Sequence, residues 1–190
     1  TVQSIVAAWT ENANANNKTV TIHGVTVTGV EDRGRNNDEQ YKDSSVLAAK
    51  TIGADANNNT VIMNGGTVTS IAVGRTENGN ANNNKLVLTG GTGVATSPLD
   101  DHEYRAARVD NGDANNNTVE VKNFGKVSTI YGVDINGYGA AEGNTVTVDN
   151  IEAVSDVVAA YQATSYSSDE LDKREVKNNS LIINGGNIDM

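Results

Sequence analysis

Side chains able to carry chemistry are few and scattered in this chain. It has two histidines and no cysteine, which excludes a thiolate metal site, a cysteine nucleophile and a disulfide framework. A Ser-His-Asp site would need His23 or His102, and neither lies near a nucleophile-elbow motif. The cluster Asp100-Asp101-His102-Glu103 is the best candidate for metal ligation or acid/base work, although a solvated loop has the same composition. Asp110-Asn111-Gly112-Asp113 has the acidic look of a Ca²⁺ loop. It lacks the spaced ligands and distal Glu of an EF-hand, and also the Gly-Gly-x-Gly-x-Asp nonapeptide. Glu120, Asp149 and Glu152 are single outward acids, whereas glycoside hydrolysis needs a converging carboxylate pair. The expectation is therefore no catalytic residue, no metal and no cofactor.

One alignment is richer. The residue after a recurring short strand reads Trp9, Lys50, Arg75, Arg108, Asp134 and Tyr161. Two aromatics and three cations thus gather in a chain that is 4% aromatic with a net charge of −10. Aromatic and Arg side chains are what binding surfaces enrich. Trp9, Lys50, Arg75, Arg108 and Tyr161 are accordingly candidates for partner binding. The alternative is a strand-end column where large side chains merely fit outside.

A repeat must position these residues. Six segments open with Asn, a variable residue, Val or Leu, any residue, and an aliphatic: from Asn17, Asn59, Asn84, Asn117, Asn144 and Asn179. The first carries one extra residue after its Asn. Alternation makes each a strand, with Val20 and Ile22 inward and Thr19 and Thr21 outward. A turn follows, as in Asn64-Gly65-Gly66, Thr89-Gly90-Gly91 and Asn184-Gly185-Gly186, with Asn150 where the first Gly sat in Asp149-Asn150-Ile151. Gly and Asn accept positive φ at low cost, so a left-handed corner is expected. Then come a second strand (Thr67-Val68-Thr69) and a third of small residues (Ile71-Ala72-Val73-Gly74). The opening Val20, Val61, Leu86, Val119, Val146 and Leu181 are 41, 25, 33, 27 and 35 residues apart. Without insertions the unit is near 25, three strands and three corners, which is one coil of a β-helix. Such coils bury an apolar face only by stacking.

The six opening asparagines are expected to stack as an amide ladder that satisfies buried polar groups between coils; ligand contact is the alternative. Three polar insertions, Glu31 to Ser45, Ala95 to Glu103 and Gln162 to Lys177, are expected to leave the stack as loops, as binding face or decoration. Residues Ser168 to Glu175 suit a short helical turn.

Composition agrees with a thin core repeated many times. Hydrophobic residues are 37% of 190, Gly is frequent, and Pro occurs once. The acidic balance disfavours nucleic acid and anionic membranes as partners. No apolar run could span a bilayer. Thr-Val-Thr triplets raise ice binding, but Ile62, Val87, Glu120 and Ile182 break the array. The fold expected is all-β: a right-handed parallel β-helix of about six coils over residues 1–190. The chain reads as one segment excised from a longer repeat protein, with uncapped ends prone to end-to-end self-association.

The Asn-Asn-Asn-Thr-Val openings at Asn57 to Val61 and Asn115 to Val119, the Asn64-Gly65-Gly66-Thr67-Val68 turn and the missing cysteine resemble passenger segments of Gram-negative autotransporter adhesins. The resemblance spans the whole chain. It implies export through an outer-membrane β-barrel absent from this chain, display at the cell surface, and a non-enzymatic role in adhesion, aggregation, biofilm formation or virulence. The partner would be a host or bacterial surface protein or glycan. The competing class is a carbohydrate-active β-helix enzyme, such as a polysaccharide lyase, a glycosidase or a phage tailspike-like protein.

Overall fold

The computed structural model describes residues 1–28, 45–93, 103–163 and 174–188. Among these, every regular element is a strand and none is a helix. In chain order they are β1 (Ile5–Thr10), β2 (Thr19–Val27), β3 (Val46–Thr51), β4 (Thr60–Val68), β5 (Ile71–Asn78), β6 (Lys85–Thr89), β7 (Thr92–Gly93), β8 (Glu103–Asn111), β9 (Thr118–Ile135), β10 (Gly139–Glu142), β11 (Thr145–Val158), β12 (Tyr161–Gln162), β13 (Arg174–Lys177), β14 (Ser180–Ile183) and β15 (Gly186–Ile188).

All pairings between these strands are parallel. The main sheet has the order β1-β3-β5-β8-β9-β6-β4-β2, with β7, β11, β12, β14 and β15 joined beside it; β10 and β13 pair separately. The order climbs the sequence to β9 and then descends. Strand β9 belongs to both runs, so the sheet wraps back on itself into a nearly closed, solenoid-like wall. Each pass of the chain, or rung, pairs with the pass before and after it.

Alternation produces the wall. Over residues 60–64 of β4 and throughout β6 every second residue is buried, because one side of each strand faces the core and the other faces out. The register joins Val20, Val61, Leu86, Val119, Val146 and Leu181 in one column. The first five are buried, whereas Leu181 is 43% exposed. Its strand β14 pairs only with β11 among the described residues, so no further rung covers it. The main core combines this column with Ile22, Met63, Leu88, Val121 and Val148 and the inward residues of the third strands, among them Val46, Ile71, Tyr104 and Ile130.

Two columns of left-handed residues turn the chain. Gly24, Gly65, Gly90, Asn123 and Asn150 take φ between 48° and 76° at the corner after the opening strand. Asn17, Asn58, Asn83, Asn116, Gly143 and Asn178 do so before it, with φ between 56° and 67°. At Gly66 the requirement is close approach as well: a Cβ there would lie 2.4 Å from the Val25 carbonyl oxygen.

Behind the opening strands lie smaller cores absent from the sequence reading. Ala81, Ala107, Val109, Ala114, Val133, Ile135 and Ala141 form one, and Ala15, Ala49 and Ala56 another. Ala15, Ala56, Ala81 and Ala114 punctuate the Asn-rich runs, where their polar neighbours hid them, whereas Ala49, Ala107 and Ala141 come from β3, β8 and β10.

Several boundaries differ from expectation. Ser45 is a buried corner residue that exchanges hydrogen bonds with Ser70. Glu103 opens β8, Gln162 closes β12, and Arg174–Lys177 is β13 rather than loop. The helical turn expected from Ser168 falls mostly outside the described residues, and its last two residues, Arg174 and Glu175, are strand.

Candidate functional site

The third strands place the aromatic and cationic column. Backbone register pairs Trp9 with Lys50, Lys50 with Arg75, Arg75 with Arg108, Arg108 with Asp134, and Asp134 with Tyr161. A second column runs beside it through Leu47, Ala72, Arg105 and Tyr131. Cross-contacts show that both columns share one face. Arg105 Nε lies 3.1 Å from Asp134 Oδ2, and Arg108 Nε lies 4.0 Å from the same oxygen. The Arg105 guanidinium also pairs with Glu103 and sits 5.5 Å from the Tyr131 ring centre, within cation–π range. Tyr131 and Tyr161 pack at 6.0 Å with a 50° tilt. Arg105 and Tyr131 are not among the candidates that the sequence pattern singles out. Their positions beside Leu47 and Ala72 were the one available signal.

Exposure divides the column. Trp9 is 42% and Tyr161 46% exposed, whereas Lys50, Arg75 and Asp134 are buried. Lys50 and Arg75 are not free of partners. Neither presents its charge to solvent among the described residues. The accessible members are Trp9 and Tyr161, with Arg108 and Tyr131 half-buried between them.

Burial sets the electrostatics. It pushes the Arg75 guanidinium down to about 10, with Arg108 acting in the same sense and Asp110, Glu77 and Asp134 opposing. Burial also pushes Arg105 down to about 10, with Asp134 opposing it most strongly. Both remain charged at neutral pH. The Arg105–Asp134 separation suits an ion pair, but the alignment fails for a hydrogen bond, and Nε of Arg105 and of Arg108 are buried without an acceptor among the described residues. Burial raises the Tyr131 hydroxyl, and Asp134 adds to this.

The asparagines sort into ladders of opposite polarity. Lys18 N–H donates to Asn59 Oδ1, Asn59 N–H to Asn84 Oδ1, Asn84 N–H to Asn117 Oδ1, Asn117 N–H to Asn144 Oδ1, and Asn144 N–H to Asn179 Oδ1, all at 2.8–2.9 Å. Asn59, Asn84, Asn117 and Asn144 are fully buried. Here each side-chain oxygen serves the preceding rung. Two outer ladders run the other way. Asn57 N–H donates to Asn16 Oδ1, Asn82 N–H to Asn57 Oδ1 and Asn115 N–H to Asn82 Oδ1. Asp55, Asn80 and Asp113 N–H likewise use the side chains of Asn14, Asp55 and Asn80.

Asn17 is a correction. It aligns with Asn58 through the bond from its N–H to Asn57 O, while Asn58 itself bonds Asn82 O. It therefore occupies the left-handed corner, and Lys18 stands in the ladder slot. The extra residue noted after Asn17 is this offset.

Other candidates disperse. His23 is exposed on β2. Asp100, Asp101 and His102 lie outside the described residues. Asp113 belongs to a ladder, where its Oδ1 accepts from Ala140 N–H. Glu120 pairs with Lys85 at 2.6 Å, Asp149 with Lys122 at 3.7 Å and Glu152 with Lys126 at 3.5 Å. Among the described residues no group of three metal-binding side chains comes together. No protein-family model, curated protein or solved structure matches the chain.

Proposed function

We propose that this chain is a wall segment of a bacterial cell-surface adhesin. In this reading it is a right-handed parallel β-helix of about six coils that contributes reach and a lateral face for a surface protein or glycan. The observation that supports the reading is the column just described. Its two exposed aromatics, Trp9 and Tyr161, stand at opposite ends of one outer face, with Arg108 and Tyr131 between them. Exposed aromatic rings offer an apolar body with a polar edge, the property that enriches Tyr and Trp at interfaces. The acidic balance of the chain disfavours nucleic acid on the same face.

The test is attachment to cells and to a glycan array by the whole chain and by Trp9→Ala, Arg108→Ala and Tyr161→Ala variants. Weakened attachment with an unchanged melting temperature supports the reading. Unchanged attachment in all three reduces the segment to a spacer. Incubating the same samples with polysaccharides tests the enzymatic alternative, since chain shortening requires catalysis and binding does not.

A further inference from the structure

The left-handed column before the opening strand has chemistry that folding does not use. Asn17, Asn58, Asn83, Asn116 and Asn178 are all exposed, and all sit at positive φ. The side chains of Asn17, Asn58, Asn83 and Asn116 make no hydrogen bond among the described residues, while Asn178 Nδ2 donates to Glu142 Oε1 at 3.1 Å on the surface. The neighbouring asparagines on either side are committed to ladders. Backbone conformation is the only demand at this corner, and Gly143 meets it with φ 67° and no amide at all.

Four of these five carry a hydroxyl two residues on: Asn17-Lys18-Thr19, Asn58-Asn59-Thr60, Asn116-Asn117-Thr118 and Asn178-Asn179-Ser180. No other Asn in the chain is followed by Ser or Thr at that distance. Asn83 lacks it because Lys85 stands there. Asn-x-Ser/Thr is the acceptor pattern for N-linked sugar, and it demands a surface position. Each Thr or Ser opens a strand in register with the others, so the acceptor tripeptides face one way along a single edge.

We propose that this edge is an N-glycosylation face, with Asn17, Asn58, Asn116 and Asn178 as acceptors. The donor class is a sugar activated by a diphosphate leaving group. The asparagine Nδ2 attacks the anomeric carbon, the bond from that carbon to the diphosphate oxygen breaks, the diphosphate departs with the electron pair, and the amide loses one proton. Asn58, Asn116 and Asn178 are each two rungs apart, roughly 10 Å at the β-rung spacing. The rungs between them are those of Asn83 and Gly143, where the pattern is broken. Adjacent sugars on those three rungs are thereby spaced apart, and a sugar coat would shield the corner from proteases without entering the core.

Intact-mass measurement and peptide mapping of the chain purified from the cells that make it provide the test. The expected result is sugar mass increments on the four named asparagines and none on Asn83. Thr60→Val and Thr118→Val should each abolish the sugar at their own site and leave the melting temperature unchanged, while Thr60→Ser retains it. Unmodified peptides at all four asparagines would overturn the proposal. So would sugar that persists on Asn58 in the Thr60→Val chain.

Discussion

Replacing Asn117 by Ala probes the inner ladder at its centre. Asn117 Oδ1 accepts the Asn84 N–H at 2.8 Å, and its Nδ2 donates to Asn144 Oδ1 at 3.0 Å. The substitution leaves the Asn84 N–H buried without an acceptor, on a residue whose Nδ2 already lacks one. An orphaned buried donor costs about 1–3 kcal/mol, and the lost side-chain bond costs about 1 kcal/mol more. The void adds roughly 1 kcal/mol, for about 3–5 kcal/mol in all. At this chain length that lowers the melting midpoint by about 6–20 °C. Two neighbours serve as controls. Asn115→Ala removes an outer-ladder oxygen from the Glu142 N–H, but that site is half-buried and water can substitute, so the loss is about 1 kcal/mol. Asn116→Gly touches only the exposed left-handed corner and should change little. Thermal melts by circular dichroism, compared at identical scan rate because stacked repeats need not unfold in one step, check the order. Equal midpoints for Asn117→Ala and Asn115→Ala would refute the distinction between inner and outer ladders.

Other outcomes follow from the same geometry. Val119→Asp places an unpaired charge in a fully buried column and should cost more than about 4 kcal/mol; a melt near that of the parent protein would contradict the core assignment. Burial raises the Tyr104 hydroxyl, which donates to the Val68 carbonyl. A raised folded value means stability that is complete below the unfolded value near 10 and lost as pH climbs above it. Arg75 and Arg105, lowered by burial, act in the opposite sense in that range. Comparing the parent with Tyr104→Phe cancels them, and the variant should lose stability less steeply above pH 10 in denaturant titrations; parallel slopes would contradict this. Chelator should leave the melting temperature unchanged, since the described residues assemble no ligand set; a fall of many degrees would expose a metal site.

How much the sequence disclosed depended on what repeats. The Val20-to-Leu181 column was legible because β-branched and aliphatic residues recur two positions apart in every opening strand, and register then follows from counting. The Trp9-to-Tyr161 alignment could be read in the same way. Its burial could not, because alternation tells which side of a strand faces the core and not whether the other side is covered. Lys50 and Arg75 thus looked like surface cations. Asn17 was misplaced because a run of like residues has no internal landmark; counting back from Val20 instead of forward through the run finds Lys18. Ala15, Ala56, Ala81 and Ala114 escaped notice for a related reason, since an Ala set among Asn and Asp residues has no amphipathic period.

The opposed ladders bear on how such a molecule changes length over evolutionary time. Each interface between rungs takes acceptors from both sides: the outer ladders draw on the earlier rung, the inner ladder on the later one. Any rung with the same Asn pattern therefore fits between any two others. Thr60 and Lys85 occupy equivalent places, with the ladder residues Asn59 and Asn84 spaced 25 residues apart. Excising Thr60 to Asn84 would bring Asn59 directly before Lys85, where its N–H would meet Asn117 Oδ1 in place of the lost Asn84. Duplication of the same stretch would insert a rung with equal ease. Recombination between near-identical repeats can thus add or remove reach one whole rung at a time without leaving a broken amide chain behind.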